Sequence, residues 1–247
     1  RRKITQYTRF GTLALAFSQS GRSPDLVKAT QYFSVAPSRS VALVNDPASP
    51  LAQQAHTVLP LHAGQETSVA ATKSFIAQLA WSARLVAAWQ ADPALQAALQ
   101  QLPASLEVAA QQDWSEAVQA LSPVDHLMVI SRGTGMAVAL EAALKLKETC
   151  AIQAETFSSA ELRHGPMALI EEGYPLFILA PRGPAQAEMC ALATEMRARG
   201  ARVLLAACGQ EQASDLPCAT ATLPPRTISA PHRRSSLRHQ AHKPHNP

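Results

Sequence analysis

Two kinds of block alternate along the chain. Short apolar runs end at Ser, Gly or Pro, and longer stretches carry apolar residues at helical spacing. The runs Leu13–Phe17, Ser40–Val44, His56–Leu61, Leu127–Ser131, Pro175–Ala180 and Arg202–Ala206 read as strands. The first of them, Leu-Ala-Leu-Ala-Phe, lacks polar alternation and predicts a fully buried parallel strand. Helical stretches lie between them at Pro24–Gln31, Pro50–Gln54, about Thr67–Gln90, Gly135–Thr149 and Ala185–Arg199. Asp92-Pro93 and Leu102-Pro103 predict breaks that divide the stretch up to Leu121 into helical hairpins. Strand–helix alternation predicts an α/β fold with parallel sheets covered on both faces. The order strand, Gly or hydroxyl turn, helix occurs in both halves, so the simplest architecture is a duplicated, doubly wound α/β unit. The expected layout is a first unit over 1–100, a helical connector over 101–122, a second unit over 123–223 and a tail over 224–247.

Composition changes this picture mainly at the ends. The 247 residues carry a formal net charge of +4, but residues 1–10 hold +4 and residues 224–247 hold +5, leaving the body at −5. The body shows no basic stripe and few aromatics for base stacking, so no nucleic-acid partner is expected. The last segment, rich in Arg, His and Pro, has almost nothing to bury and predicts disorder. Its histidines His232, His239, His242 and His245 stand in a flexible Arg/Pro-rich tail, and the cysteines Cys150, Cys190, Cys208 and Cys218 lack metal-ligand spacing, so no metal and no cofactor is expected. Reduced thiols fit a cytoplasmic protein. No apolar run approaches the roughly 18 residues that cross a bilayer.

Candidate chemistry sits at the turns. Ser18-Gln19-Ser20-Gly21-Arg22-Ser23-Pro24 follows the first strand and opens a helix. Helix N-terminal N–H groups attract an anion, Gly21 allows close backbone approach, and three serine hydroxyls add neutral donors. The plainer reading is a Ser-Pro helix cap. Ser131-Arg132-Gly133-Thr134-Gly135 repeats the arrangement, either as a second cradle or as simple turn chemistry. In the helix that follows, Glu141, Lys145 and Glu148 fall at i, i+4 and i+7 and share one face. They form either an acid–base group or a solvated ion-pair ladder. His164 precedes a Gly-Pro turn, where a histidine is free to meet a ligand or to stand as an ordinary surface residue.

Taken together, Ser18–Pro24, Ser49–Ala52, Gly64–Phe75 and Ala139–Pro166 resemble the sugar isomerase (SIS) domain family. The likeness is to the isomerase half of glucosamine-6-phosphate synthases and to short SIS-type glucosamine-6-phosphate deaminases. It covers about residues 11–222. The fold it implies is two doubly wound parallel-sheet SIS subdomains, the first one incomplete. The resemblance implies that Ser18, Gln19, Ser20 and Ser23 hold a sugar phosphate, and that Val69 and Ala70 touch the sugar through their backbones. It further implies that Glu148 moves a proton between the first two carbons of the open-chain sugar, and that His164, reaching in from a neighbouring subunit, assists ring opening. Lys145 then supports the sugar hydroxyls and the Glu148 charge, and Glu141 orients Lys145. The implied partners are a small-molecule sugar phosphate and a second copy of the chain in a homodimer, with no membrane.

Three departures from the family pattern bear on activity. Ala71 stands where the family commonly has Ser, and the glycine-rich strand-turn that opens the first SIS domain is not seen. The Arg/His/Pro segment stands in place of the closing helix and tail lysine of the synthases; it shows no comparable lysine motif, and the surroundings of Lys243 do not match. No glutaminase domain precedes the match, so ammonia delivery from glutamine is not expected. Three readings follow: a phosphosugar isomerase or deaminase, a sugar-phosphate-binding module without turnover, and an inactive gene fragment.

Overall fold

The computed structural model describes residues 11–208 apart from Ala36 and Val69. The basic first ten residues, the tail over 224–247 with its histidines, Cys218 and Val69 therefore lie outside the described residues. The chain divides into two compact units, with the boundary between Asp113 and Trp114. Both are α/β, with all strand pairs parallel.

In the first unit, β1 (Leu13–Ser18), β2 (Arg39–Val44) and β3 (Thr57–Pro60) form a sheet of order β1-β2-β3. Helices α1 (Pro24–Phe33) and α2 (Pro50–Gln54) follow β1 and β2, each with Pro at its start, where the missing N–H costs nothing. A small core of Ala42, Val44, Leu51 and Ala52 is sealed by Ala16, Leu26, Val27 and Val58. Contrary to expectation, β1 is an edge strand among the described residues, and Leu13 and Leu15 stay 42% and 40% exposed. The unbroken apolar run does carry a strand, but β2, with Leu43 and Val44 fully buried, takes the central place.

Helices α3 (Lys73–Trp89) and α4 (Pro93–Ala110) form one hairpin about Asp92, which caps α4 through Ala94 N–H and Leu95 N–H. Two helical expectations need correction. First, α3 begins at Lys73 and not near Thr67, because the Glu66 side chain reaches across from the preceding loop and takes the helix's first N–H groups. Second, Pro103 does not break the hairpin; α4 runs through it. No residue of α4 is buried, and a cavity of about 420 Å³ lies beside Pro103 and Leu99, so water can reach the Leu99 carbonyl that Pro103 leaves without its N–H partner.

The second unit opens with α5 (Ser115–Leu121) and continues β4 (His126–Ser131), α6 (Gly135–Cys150), β5 (Gln153–Ser158), α7 (Ser159–Arg163), β6 (Pro175–Ala180), α8 (Gln186–Ala198) and β7 (Arg202–Ala207). Its sheet has order β5-β4-β6-β7. Strand β6 is buried along its whole length, as its unbroken apolar run requires. Met128, Ile130, Ile178, Met189, Leu192 and Met196 make the core, with Leu162 of α7 driven into it. Strand β5 has no counterpart among the expected strands: Gln153, Glu155 and Thr156 interrupt its apolar pattern because it is the sheet's edge among the described residues and exposes Gln153 and Glu155. Gly135 is required at the start of α6, since a Cβ there would overlap Ser131 Oγ and lie 2.9 Å from Pro181 Cγ.

Candidate functional site

In the first unit the chemistry gathers at the carboxyl end of β1, where ligands meet parallel sheets. Gly21 has φ +62°, and a Cβ at that position would overlap Ser49 Oγ; only glycine lets the turn fold onto α2. Its carbonyl accepts from Leu51 N–H at 3.0 Å, and the Gln19 carbonyl accepts from Asn45 N–H at 3.2 Å, tying the turn to the neighbouring loop. Gly21 N–H donates to Ser18 Oγ at 3.0 Å, and Arg22 N–H donates to Ser20 Oγ at 3.3 Å. Both hydroxyls thus accept from the backbone and keep their own protons to donate. Ser23 occupies the N-cap position of α1, but its side chain makes no cap hydrogen bond. The plain Ser-Pro cap therefore lacks the bond that defines it. Arg22 pairs with Asp46 at 2.8 Å, so the turn presents neutral donors and not a bare cation.

Ala70 is buried in the loop before α3, and Thr72 Oγ1 donates to its carbonyl at 3.3 Å. Glu66 organises this loop and escaped the sequence reading, although an acid before a helix start is a recognisable capping signal. Its Oε1 accepts from Thr72 N–H at 3.1 Å, Ser74 N–H at 2.8 Å and Ser74 Oγ–H at 2.7 Å. Burial pushes the Glu66 carboxyl up, but the Ser74 bonds, the Lys73 charge and the Thr72 bond outweigh it and hold the pKa below the usual value.

In the second unit, α6 brings Glu141, Lys145 and Glu148 together as the spacing requires. Lys145 Nζ lies 3.0 Å from Glu141 Oε1 and 3.2 Å from Glu148 Oε2. The side chains are 18%, 20% and 34% exposed for Lys145, Glu141 and Glu148, so this is a half-buried cluster and not a freely solvated ladder. Burial opposes the Lys145 charge, yet the bonds from Glu141 and Glu148 and their charges prevail and raise its pKa. Glu148 is the most open of the three, the place where a base would meet a ligand.

His164 lies elsewhere on the unit, at the C-terminal end of α7, where it is exposed and its backbone N–H donates to the Glu161 carbonyl at 3.0 Å. In the turn after β4, Arg132 donates to Glu188 Oε1 at 2.9 Å and to Ser159 Oγ at 3.1 Å, so its charge is spent on α8 and α7. Among the described residues, no group of three or more His, Cys, Asp or Glu side chains is placed to hold a metal ion. Among the described residues, Cys150, Cys190 and Cys208 form no disulfide. No helix of the described residues is long and apolar enough to cross a membrane.

A family model described as the SIS domain matches residues 3–88 and again 120–218. The chain belongs to the SIS domain family. The two matches fall one in each unit, as the duplicated plan predicts. Among curated SIS relatives, the glutamine–fructose-6-phosphate aminotransferase (isomerizing) of Zymomonas mobilis is 37% identical over 227 residues, covering 87% of this chain and 37% of that protein. Among solved structures, a candidate phosphosugar isomerase from Silicibacter pomeroyi matches with TM-score 0.74 at 44% identity, over 78% of this chain and 59% of the other. Glucosamine-6-phosphate deaminase from Thermotoga maritima matches with TM-score 0.64 at 25% identity, over 81% of this chain and 61% of the other. The chain spans about a third of the length of the curated relatives it matches. The SIS assignment and the likeness to the Silicibacter pomeroyi structure agree with the two parallel α/β units.

Proposed function

We propose that the protein binds an amino-hexose 6-phosphate and interconverts glucosamine 6-phosphate and fructose 6-phosphate. The observation that carries this reading is the half-buried Glu141–Lys145–Glu148 cluster, in which one ammonium is fixed between two carboxylates and the outer carboxylate stays accessible. In the proposed chemistry Ser18, Gln19, Ser20 and Ser23 hold the phosphate through hydroxyl, amide and backbone donors. Ala70, with Val69, contributes backbone contacts to the sugar. His164 protonates and deprotonates the ring oxygen and anomeric hydroxyl to open the sugar. Glu148 removes the proton from C2 of the aldose and returns it to C1, through an enolamine whose developing charge Lys145 stabilises. Glu141 holds Lys145 in place. The resulting ketose imine takes up water and releases ammonia, leaving fructose 6-phosphate. No metal or organic cofactor enters these steps. The likeness to an aminotransferase of fructose 6-phosphate and to a glucosamine-6-phosphate deaminase supports this substrate class.

The proposal includes a homodimer, in which His164 serves the neighbouring copy, and a cytoplasmic setting; sedimentation velocity tests the former. Incubation of the chain with glucosamine 6-phosphate, with ammonia and fructose 6-phosphate measured beside Glu148→Gln, tests the chemistry. Product from the parent and a rate loss of roughly a hundredfold or more in Glu148→Gln are expected, as for removal of a general base. Ala71, which lacks the hydroxyl common at that position in the family, favours a second reading of binding without turnover. A thermal shift on addition of the sugar phosphate with no product would support that reading. Absence of both would contradict the two together.

A further inference from the structure

Helix α7 is only five residues long, far below the length at which a helix holds itself together. Its local support is a capping box: Glu161 N–H donates to Ser158 Oγ at 3.1 Å, and Ser158 N–H donates to Glu161 Oε2 at 2.8 Å. Leu162, fully buried, anchors one face in the core. What sets the helix along its length is α8. Glu188 and Glu195 lie seven residues apart, two turns along one face of α8. Glu188 Oε1 accepts from Ser159 Oγ–H at 2.7 Å and from Arg132 at 2.9 Å, holding the first residue of α7 and the end of β4. Glu195 grips the last residue with both oxygens, at 3.2 Å and 2.7 Å from the Arg163 guanidinium nitrogens. This fork geometry fixes direction as well as distance, and its hydrogen bonds and charge raise the Arg163 pKa. His164 is the next residue.

We infer that Glu188 and Glu195 are positioning residues, a two-point clamp on α8 that sets α7 and thereby places the His164 imidazole. The pairs are about one-third to one-half exposed, with side chains at 45% and 42% for Arg132 and Glu188 and 47% and 34% for Arg163 and Glu195. Ion pairs this open contribute little to global folding. Their effect is therefore local, on a five-residue helix otherwise held by its capping box and by the buried Leu162 and Ser159. The clamp rests on the proposed acid–base role of His164 for its functional meaning, but its geometry does not.

The test uses the full chain carrying Glu188→Gln, Glu195→Gln, both together, and the exchanged pair Arg163→Glu with Glu195→Arg. Hydrogen–deuterium exchange reads the clamp directly. In the double variant the amides of residues 159–164 are expected to exchange at least tenfold faster, with those of β4 and β6 within twofold of the parent. The exchanged pair is expected to restore protection at the Arg163 end. Turnover of glucosamine 6-phosphate reads the consequence: kcat is expected to fall about tenfold in the double variant with KM within twofold, and to recover in the exchanged pair. Unchanged exchange over 159–164 would overturn the clamp, as would loosening of β4 and β6 to the same extent. A parent chain that shows no turnover would instead overturn the role given to His164, leaving the exchange result to decide the clamp.

Discussion

Lys145→Met removes the one cation of the α6 cluster while keeping much of the side chain's volume. At an effective dielectric near 20, two unit charges about 4 Å apart attract by about 4 kcal/mol before desolvation and side-chain ordering are subtracted. Fully exposed pairs retain about 0.2–1 kcal/mol after that subtraction. Breaking a fully buried pair costs about 3–5 kcal/mol, because a charge is stranded. With exposures of 18%, 20% and 34%, the cluster lies between these limits, and a loss of about 2 kcal/mol is expected on that interpolation. A double-mutant cycle in urea with Glu141→Gln should return a coupling of about 1 kcal/mol. The sign of the pH dependence is fixed by the raised pKa of Lys145. Its stabilisation is complete below the unfolded lysine value of about 10.4 and is lost as pH rises through the higher folded value. The difference between parent and Lys145→Met should therefore be constant from about pH 7 to 9 and shrink above about pH 10.4. A coupling below about 0.3 kcal/mol, within the scatter of independent sites, would refute the half-buried cluster in favour of a solvated ladder.

Other consequences are independent of this one. Gly21→Ala forces a Cβ onto Ser49 Oγ at φ +62°, and strain plus overlap should cost about 2 kcal/mol or more; urea unfolding measures the loss and titration with a hexose 6-phosphate should show weakened binding. Glu66 has a depressed pKa, so its stabilisation is present above the unfolded value of about 4.3 and is lost as pH falls through the lower folded value. Glu66→Gln should cost about 1 kcal/mol at neutral pH, as for loss of a helix cap, and urea midpoints across that acid window should show a smaller decline than in the parent. Ile130→Ala, at a fully buried position of the central strand β4, should cost about 2–5 kcal/mol by calorimetry or urea unfolding.

Most elements were legible because their residues answer to local physics. The run Pro175–Ala180 is apolar throughout, and a strand buried on both faces needs no other signal. The i, i+4, i+7 spacing of Glu141, Lys145 and Glu148 placed them on one helix face, and the two ion pairs follow. What escaped depends on tertiary neighbours. Whether Leu13–Phe17 lies centrally or at an edge is set by strand order, which periodicity does not carry. Strand β5 is an edge among the described residues, and its polar residues hid it; Pro103 stands in a helix with no buried residue, where the carbonyl it leaves unpaired is open to water. Glu66 reaches its partners six and eight residues away by the course of a loop. Arg132 and Glu188 are 56 residues apart, and nothing in either segment names the other.

The proposed function rests on proton transfer at C1 and C2 of a hexose 6-phosphate by Glu148. Its most direct test is solvent-isotope exchange: the chain is incubated in D2O with fructose 6-phosphate or glucosamine 6-phosphate, and deuterium at C1 or C2 is followed by NMR. Incorporation by the parent chain is expected, with a rate lower by roughly a hundredfold or more in Glu148→Gln. No incorporation by the parent, or equal incorporation by Glu148→Gln, would contradict it.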